Sequence, residues 1–470
     1  MTALSKYPPA SVKAAFSEGG DERRALDATG RNAYGCKPIP ESEVLALGAC
    51  TASPPSVRGF EAANTLLETL LTARDPSFAQ QSAWQSIETR WKRLCGLPES
   101  TACSFADSGT ALHQMFSDHL GRTWAGRPCS VITVEASETG SHIPTILSTY
   151  ANYQAIPLRD IRGRPRSTEA VDADVLSTAH AAHAQGHLIW LLAIDVSKTG
   201  LQAPSPTALA RLQAEIPEAI FWMDACQFRC APGRWERWLA EGHWLALTGS
   251  KFMGGPAFSG VLLHREKKVS GTGDVLSNTP LLLGFEAATR DIEDFLSHPT
   301  ICIKDALEGF AQSVEASFQQ CRHLRLWSSP APVRSSLLED SALSWDALPT
   351  VFSFEVLSQT GEAAWPASAL RKLRHAILLG WGDVPRCHLG QVVSWGDENT
   401  PAHRAILRLS ASARWVNEAL AYGLTPSLNE VSDFILRLDA ALDTAITSGS
   451  KQALFMADQH NPCSLSCACT

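Results

Sequence analysis

Two short apolar runs, one crossover apart and each ending in polar residues, constrain this fold more than any other feature of the chain. Ala219-Ile-Phe-Trp-Met223 reads as a short buried strand with Asp224 at its C-terminal end. Leu245-Ala-Leu247 reads as a second, delivering Thr248, Ser250 and Lys251 to the same edge. Residues 258–264 read as a third strand, returning from the turn that holds Gly254 and Gly255. Buried strands of this kind belong to open α/β sheets, which bind ligands beyond the carboxyl ends of their strands.

Composition agrees with that reading. A chain of 470 residues, 45% apolar and 19% charged, can build a large α/β core plus a smaller domain, and its alternation of apolar runs with amphipathic stretches suits a mainly parallel sheet. The net charge of −8 and the lack of a basic cluster argue against nucleic acid or an anionic membrane as partner. No apolar run reaches membrane-spanning length. The start, Met-Thr-Ala-Leu-Ser-Lys-Tyr-Pro-Pro, has no apolar signal core, so a cytoplasmic location is expected. Most of the 13 cysteines sit singly in apolar contexts and read as buried thiols. Cys463, Cys467 and Cys469 crowd the C-terminal tail without a recognised zinc pattern, and no metal is expected.

An amine and a carboxylate brought to one sheet edge are the pair that pyridoxal phosphate demands. The amine holds the cofactor's aldehyde as a Schiff base, and the carboxylate keeps its pyridine nitrogen protonated so that the ring can accept electrons. Alone, Lys251 would be a solvated loop residue and Asp224 a cap or turn residue. A third motif supports the pair: Phe105-Ala-Asp-Ser-Gly-Thr-Ala-Leu-His113 reads as strand, glycine turn and helix start. Backbone N–H groups there, with a hydroxyl such as that of Thr110, favour a dianion.

With these motifs in this order, the chain resembles the aminotransferase class V group of pyridoxal phosphate enzymes over roughly residues 45 to 440. That group includes cysteine desulfurases, kynureninases, isopenicillin N epimerase-like proteins and hercynylcysteine lyases. The resemblance implies that Asp224 meets the pyridine nitrogen, Gln227 the phenolic oxygen, and that Lys251 forms the Schiff base on a turn shared with Thr248 and Ser250. It places Ser108, Gly109 and Thr110 around the phosphate. His142, in Glu138-Thr-Gly-Ser-His142, becomes the ring that stacks on the cofactor. Thr289, in Gly284-Phe-Glu-Ala-Ala-Thr-Arg-Asp291, corresponds to a threonine that reaches the phosphate bound by a neighbouring subunit, which implies a homodimer with shared active sites. Ala288 stands where the group has glycine. Arg408, in Leu407-Arg-Leu-Ser410, corresponds to the arginine that grips a substrate carboxylate, with Arg404 and Arg414 as competing assignments.

The same cofactor and lysine serve transamination, racemisation, β-elimination and desulfuration. Cys387, in Pro385-Arg-Cys-His-Leu-Gly390, falls in the interval where desulfurases carry a mobile cysteine, and Arg386 and His388 beside it would favour a thiolate, so it is a possible nucleophile. Against a desulfurase, Ser250 stands where those enzymes have histidine, and Ser197 where many relatives have asparagine. The Thr-Arg-Asp ending at Asp291 leans towards the epimerase-like and C–S lyase branch. The expectation is a pyridoxal phosphate enzyme acting on an amino acid, with carbon–sulfur cleavage ahead of a class V aminotransferase or epimerase. A non-catalytic module that binds pyridoxal phosphate is the alternative from another class.

The expected architecture is α/β and aspartate aminotransferase-like. Residues 1–55 form an N-terminal arm ending in a substrate-proximal turn, Gly48-Ala-Cys-Thr-Ala-Ser-Pro-Pro55. Residues 56–302 form a large cofactor-binding domain with a mainly parallel, seven-stranded type of sheet flanked by helices. Residues 303–450 hold a linking helix, read from residue 301 to 319, and a smaller α+β domain. That domain has strands at 350–356 and 405–410 and a helix at 367–379; residues 451–470 are the cysteine-containing tail.

Overall fold

The computed structural model describes residues 9–18, 21–124, 126–257, 259–265, 277–328, 330–334, 344–358, 364–396, 400 and 403–447. Their strands are β1 (Leu45–Leu47), β2 (Ala102–Ala106), β3 (Cys129–Val134), β4 (Asn152–Ile156), β5 (Leu188–Ile194), β6 (Ile220–Asp224), β7 (Trp244–Thr248), β8 (Gly260–His264), β9 (Leu324–Leu326), β10 (Val351–Val356), β11 (Cys387–Trp395) and β12 (Arg404–Ser410). They form a seven-stranded sheet in the order β2-β8-β7-β6-β5-β3-β4 and a five-stranded sheet in the order β1-β11-β12-β10-β9. In the larger sheet only β8 runs against its neighbours. The expected α/β class and the mainly parallel seven-stranded sheet are therefore present.

The sheet is covered on both faces, and its sequence says why. All seven residues of β5, Leu-Ile-Trp-Leu-Leu-Ala-Ile, are buried. Ile189, Leu191 and Ala193 enter one core, while Trp190 and Leu192 enter the other. Alternation within an unbroken apolar run is what a two-sided parallel strand requires.

One of those cores positions the site. The helix Gly109–Thr123 lays Phe116 against Trp222, Trp244 and Trp190, with centroid separations of 4.7, 4.6 and 5.1 Å. Such pairs contribute about 0.5–1.5 kcal/mol each beyond burial. Its first residue is pressed against the ends of two strands: a Cβ on Gly109 would lie 3.1 Å from Cys226 Sγ and 3.4 Å from Thr248 Cγ2. From the other side β8 closes in, where a Cβ on Gly260 would lie 2.8 Å from the backbone of Ser108.

In the smaller sheet, β9, β10, β12 and β11 are antiparallel neighbours, while β1, from the N-terminal arm, lies parallel to β11. The helices Thr300–Phe318 and Ala367–Leu379 and strands β10 and β12 fall where the periodicity put them.

One segment differs from expectation. Residues 284–291, where the resemblance implies a glycine at 288, lie inside the helix Thr279–Ser297, whose first turn is capped by the Asn278 side chain accepting from the Leu281 N–H. Ala288 needs no glycine-like freedom there, and it is fully buried. Phe258 and the tail with Cys463, Cys467 and Cys469 lie outside the described residues. No helix among the described residues is long and apolar enough to cross a membrane.

Candidate active site

A cavity of about 190 Å³ opens at the carboxyl ends of β5, β6 and β7, and it gathers most of the residues singled out by sequence: Ser108, Gly109, Thr110, His142, Asp224, Gln227, Thr248, Ser250, Lys251 and Arg408. Asp224 is the last residue of β6. Its Oδ1 accepts from the Cys226 N–H at 3.0 Å. Its Oδ2 faces His113 Nε2 at 3.9 Å. Gln227 is buried, and its Nε2 donates to the Cys50 carbonyl at 3.0 Å, so the entry turn of residues 48–55 orients this amide.

Lys251 rides on the tight turn between β7 and β8. The Gly254 N–H donates to the Lys251 carbonyl and the Gly255 N–H to that of Gly249, each at 3.0 Å, and Gly254 has φ +83°. A side chain on Gly255 would meet the Ala288 Cβ at 2.5 Å, so the turn seats directly on the helix Thr279–Ser297. The Thr248 hydroxyl donates to the Cys226 carbonyl at 2.7 Å and ties the lysine turn to the end of β6.

The opposite wall suits an anion. Ser108 caps the helix Gly109–Thr123 by accepting from the Ala111 N–H at 3.1 Å, which leaves the N–H groups of Gly109 and Thr110, both lining the cavity, without an intrahelical acceptor. His142 is exposed at the rim, immediately before the helix Ile143–Tyr150, and caps it with no side-chain hydrogen bond.

Two expectations need correction. Thr289 is fully buried: its hydroxyl accepts from Trp91 Nε1 at 2.9 Å and donates to the Phe285 carbonyl at 2.6 Å. It is outside the cavity and has no surface to offer a second subunit. The face of a helix that an isolated threonine occupies is not written in its neighbours. Cys387 begins β11 and is completely buried, paired with Leu45 of β1, and burial pushes its thiol well above the ordinary range. The cations flanking it in sequence point elsewhere: Arg386 reaches Glu43 at 3.6 Å, and burial first, with Arg374 adding, drives His388 down to about 3. Ser197 lies outside the cavity lining and donates to Glu138 Oε2 at 2.6 Å.

Arg408 alone of the three arginines weighed lines the cavity. Arg414 pairs with Glu418 at 2.8 Å instead. Sequence reasoning missed other lining residues, Arg23 and Tyr34 from the arm, His113 from the helix Gly109–Thr123, and Lys198. Lys198 was visible as the only amine in Asp195-Val-Ser-Lys-Thr-Gly200, a segment that follows a buried strand as the Asp224 and Lys251 segments do.

No protein-family profile matches the sequence, and no curated protein matches it. Solved structures do resemble it. A NifS-like protein aligns with a TM-score of 0.58 at 13% identity, covering 85% of this chain and 100% of the other. The apo cysteine desulfurase of Thermococcus onnurineus NA1 aligns at 0.53 and 14% identity, over 85% and 95%. A phosphoserine aminotransferase, SerC, of Cytophaga hutchinsonii aligns at 0.52 and 12%, over 83% and 98%. At such identities the likeness is one of fold, and the fold is the aspartate aminotransferase-like α/β fold.

Proposed function

We propose that this chain is a pyridoxal phosphate enzyme acting on an amino acid. One observation carries the reading: a single cavity brings an amine without a hydrogen-bond or ion-pair partner among the described residues, Lys251, together with the strand-end carboxylate of Asp224 and the open helix N-terminus at Gly109. These groups fit the cofactor's aldehyde, pyridine nitrogen and phosphate. When bound, pyridoxal phosphate supplies an aldehyde for the lysine and a ring that accepts electron density from a substrate's Cα.

The chain's residues have separable tasks. Lys251 would anchor the group through its amine and, when that amine is free, would be the base that moves the Cα proton. Asp224 keeps a proton on the ring nitrogen, and Gln227 offers its amide to the phenolic oxygen. His142 at the rim would cover the ring, and Arg408 would hold the substrate carboxylate. A homodimer belongs to this reading by resemblance, without Thr289 as the shared contact.

For the reaction we favour carbon–sulfur cleavage by β-elimination. Cys387 is too buried to accept sulfur, and Cys50 and Cys226, which line the cavity, are themselves buried. Burial also raises the Cys226 thiol well above its ordinary range. Sulfur then leaves with the substrate fragment rather than on the protein.

The test is reductive trapping with borohydride after loading with pyridoxal phosphate, followed by peptide mass analysis. The adduct is expected on Lys251 and absent from Lys251→Ala; equal labelling of that variant overturns the cofactor assignment. A screen of amino acids should then yield a keto acid, ammonia and a sulfur compound. Conversion of the cofactor to its amine form, reversed by keto acids, would mark an aminotransferase instead.

A further inference from the structure

The cavity holds a second lysine. Lys198 follows β5 just as Asp224 ends β6 and Lys251 follows β7, so three adjacent strand ends feed one site. Its Nζ donates to the Ala136 carbonyl at 3.1 Å, and its backbone N–H donates to the Glu138 carbonyl at 3.0 Å. It has no carboxylate partner among the described residues. Glu138, the nearest carboxylate, is engaged by Arg159 at 3.0 Å, Ser197 at 2.6 Å and Thr199 at 2.7 Å.

Arg408 lacks a carboxylate partner too, and its fork is largely occupied. Nε and NH2 donate to the Gln391 carbonyl at 3.0 and 2.7 Å, NH2 to Thr51 Oγ1 at 3.0 Å, and NH1 to the carbonyl of Lys198 at 2.9 Å. A guanidinium has five N–H donors, so a single N–H on NH1 is left for a ligand, and it sits beside the residue that carries the second amine. Arg408 in this arrangement cannot clasp a carboxylate with two parallel bonds. An anion held there by one arginine N–H has a second oxygen to satisfy.

We propose that Lys198 and Arg408 form a two-cation clamp for the carboxylate of the substrate, Lys198 being the specificity-determining arm. The inference rests on the amino-acid reading above and deepens it. Three charged groups act on Lys198: Arg408 from β12, Glu138 from the turn after β3, and Lys251 from the turn after β7. Burial first, then Arg408 and Lys251, lower its amine to about 7, with Glu138 opposing them. The clamp is therefore charged below neutral pH and loses one of its two charges as pH rises, unless an anion is present to hold the proton. A ligand carboxylate is ionised across this range, so affinity falls with rising pH.

Propionate, which has the carboxylate but no amine, serves as the probe, and propionamide as its neutral control. Both are titrated by calorimetry into the full chain loaded with pyridoxal phosphate, and loading is read separately from visible absorbance. Propionate is expected to bind about tenfold more weakly near pH 8.5 than near pH 6, while propionamide does not bind. Lys198→Met should lose about tenfold in affinity at the lower pH and show a flat profile. Lys198→Arg should keep the affinity and lose the pH dependence, since a guanidinium stays charged. Wild-type affinity in Lys198→Met, a surviving pH profile in Lys198→Arg, or equal binding of propionamide overturns the clamp. Loss of the cofactor from Lys198→Met would also overturn it, assigning Lys198 to the cofactor instead. Failure of the wild-type chain to load at all counts against the cofactor reading, and propionate binding to the unloaded chain still decides the clamp.

Discussion

His113 Nε2 stands 3.9 Å behind Asp224 Oδ2 and has no hydrogen-bond partner among the described residues. The other ring nitrogen, Nδ1, lies 2.7 Å from the Gly109 carbonyl, which can only accept, so Nδ1 carries the proton. Burial above all pushes the imidazole's pKa down, and Asp224 opposes that shift, leaving a neutral ring with its Nε2 lone pair towards the carboxylate. His113 is thereby held by Gly109 with an unprotonated nitrogen beside the strand-end carboxylate. An asparagine can reproduce the donor to Gly109 but not the Nε2 position. His113→Asn should keep thermal stability and lose about tenfold in turnover with a displaced acid limb of the pH–rate profile, whereas His113→Phe should lose both stability and turnover. Unchanged pH profiles in both variants would leave the histidine a purely structural role.

Thr289→Val should destabilise the chain by about 1–3 kcal/mol, because it strands the buried Trp91 indole N–H. Cofactor retention and the size measured by light scattering should not change. A weakened hold on pyridoxal phosphate at full folding would restore the intersubunit role.

Cys387→Ser should keep turnover within about twofold while lowering stability by roughly 1–3 kcal/mol, since a hydroxyl replaces a thiol in a dry core. The measurement is a steady-state rate beside a denaturant midpoint. Loss of turnover without loss of stability would return Cys387 to the list of nucleophiles.

Asp291 offers a pH-dependent test. It is buried, its Oδ1 accepts from the Ser56 hydroxyl at 2.7 Å, and its Oδ2 lacks a hydrogen-bond partner among the described residues. Burial raises its pKa from 3.8 to about 7; Ser56 and Arg414 act downward, while Asp294 and Glu418 act upward. The folded state then holds a proton that the unfolded state releases, so this group's contribution to stability declines as pH climbs from about 4 to 7 and is flat above. Asp291→Asn should raise the thermal midpoint at pH 8 more than at pH 5; the reverse order would contradict a raised pKa.

The legible part of the site was its strand ends. Asp224, Gln227 and Lys251 follow unbroken apolar runs, and such runs fix both the burial of a strand and the edge at which it stops. Ser108 to Thr110 were legible for a similar reason, as a glycine between cap residues before an amphipathic helix. Thr289 and Cys387 were misplaced because their roles depend on which side of an element they face. Sequence neighbours do not show that for a threonine inside a helix that is apolar over much of its surface, or for a cysteine at the start of a strand. Arg23 and Tyr34 were invisible because the arm reaches the cavity by tertiary packing alone. Lys198 is less legible because a lysine after a strand end reads equally as a solvated turn residue.

The pairing of Leu45 with Cys387 joins one strand to another made about 340 residues later. At roughly 5–20 residues per second that interval is some 20 to 70 s. Throughout it, the segment after β1, whose Cys50, Thr51 and Ala52 form part of the cavity wall, has no partner strand to dock it. The pocket is thus incomplete until β11 and β12 have been made, and a nascent chain has no completed place in which to capture a reactive aldehyde before then.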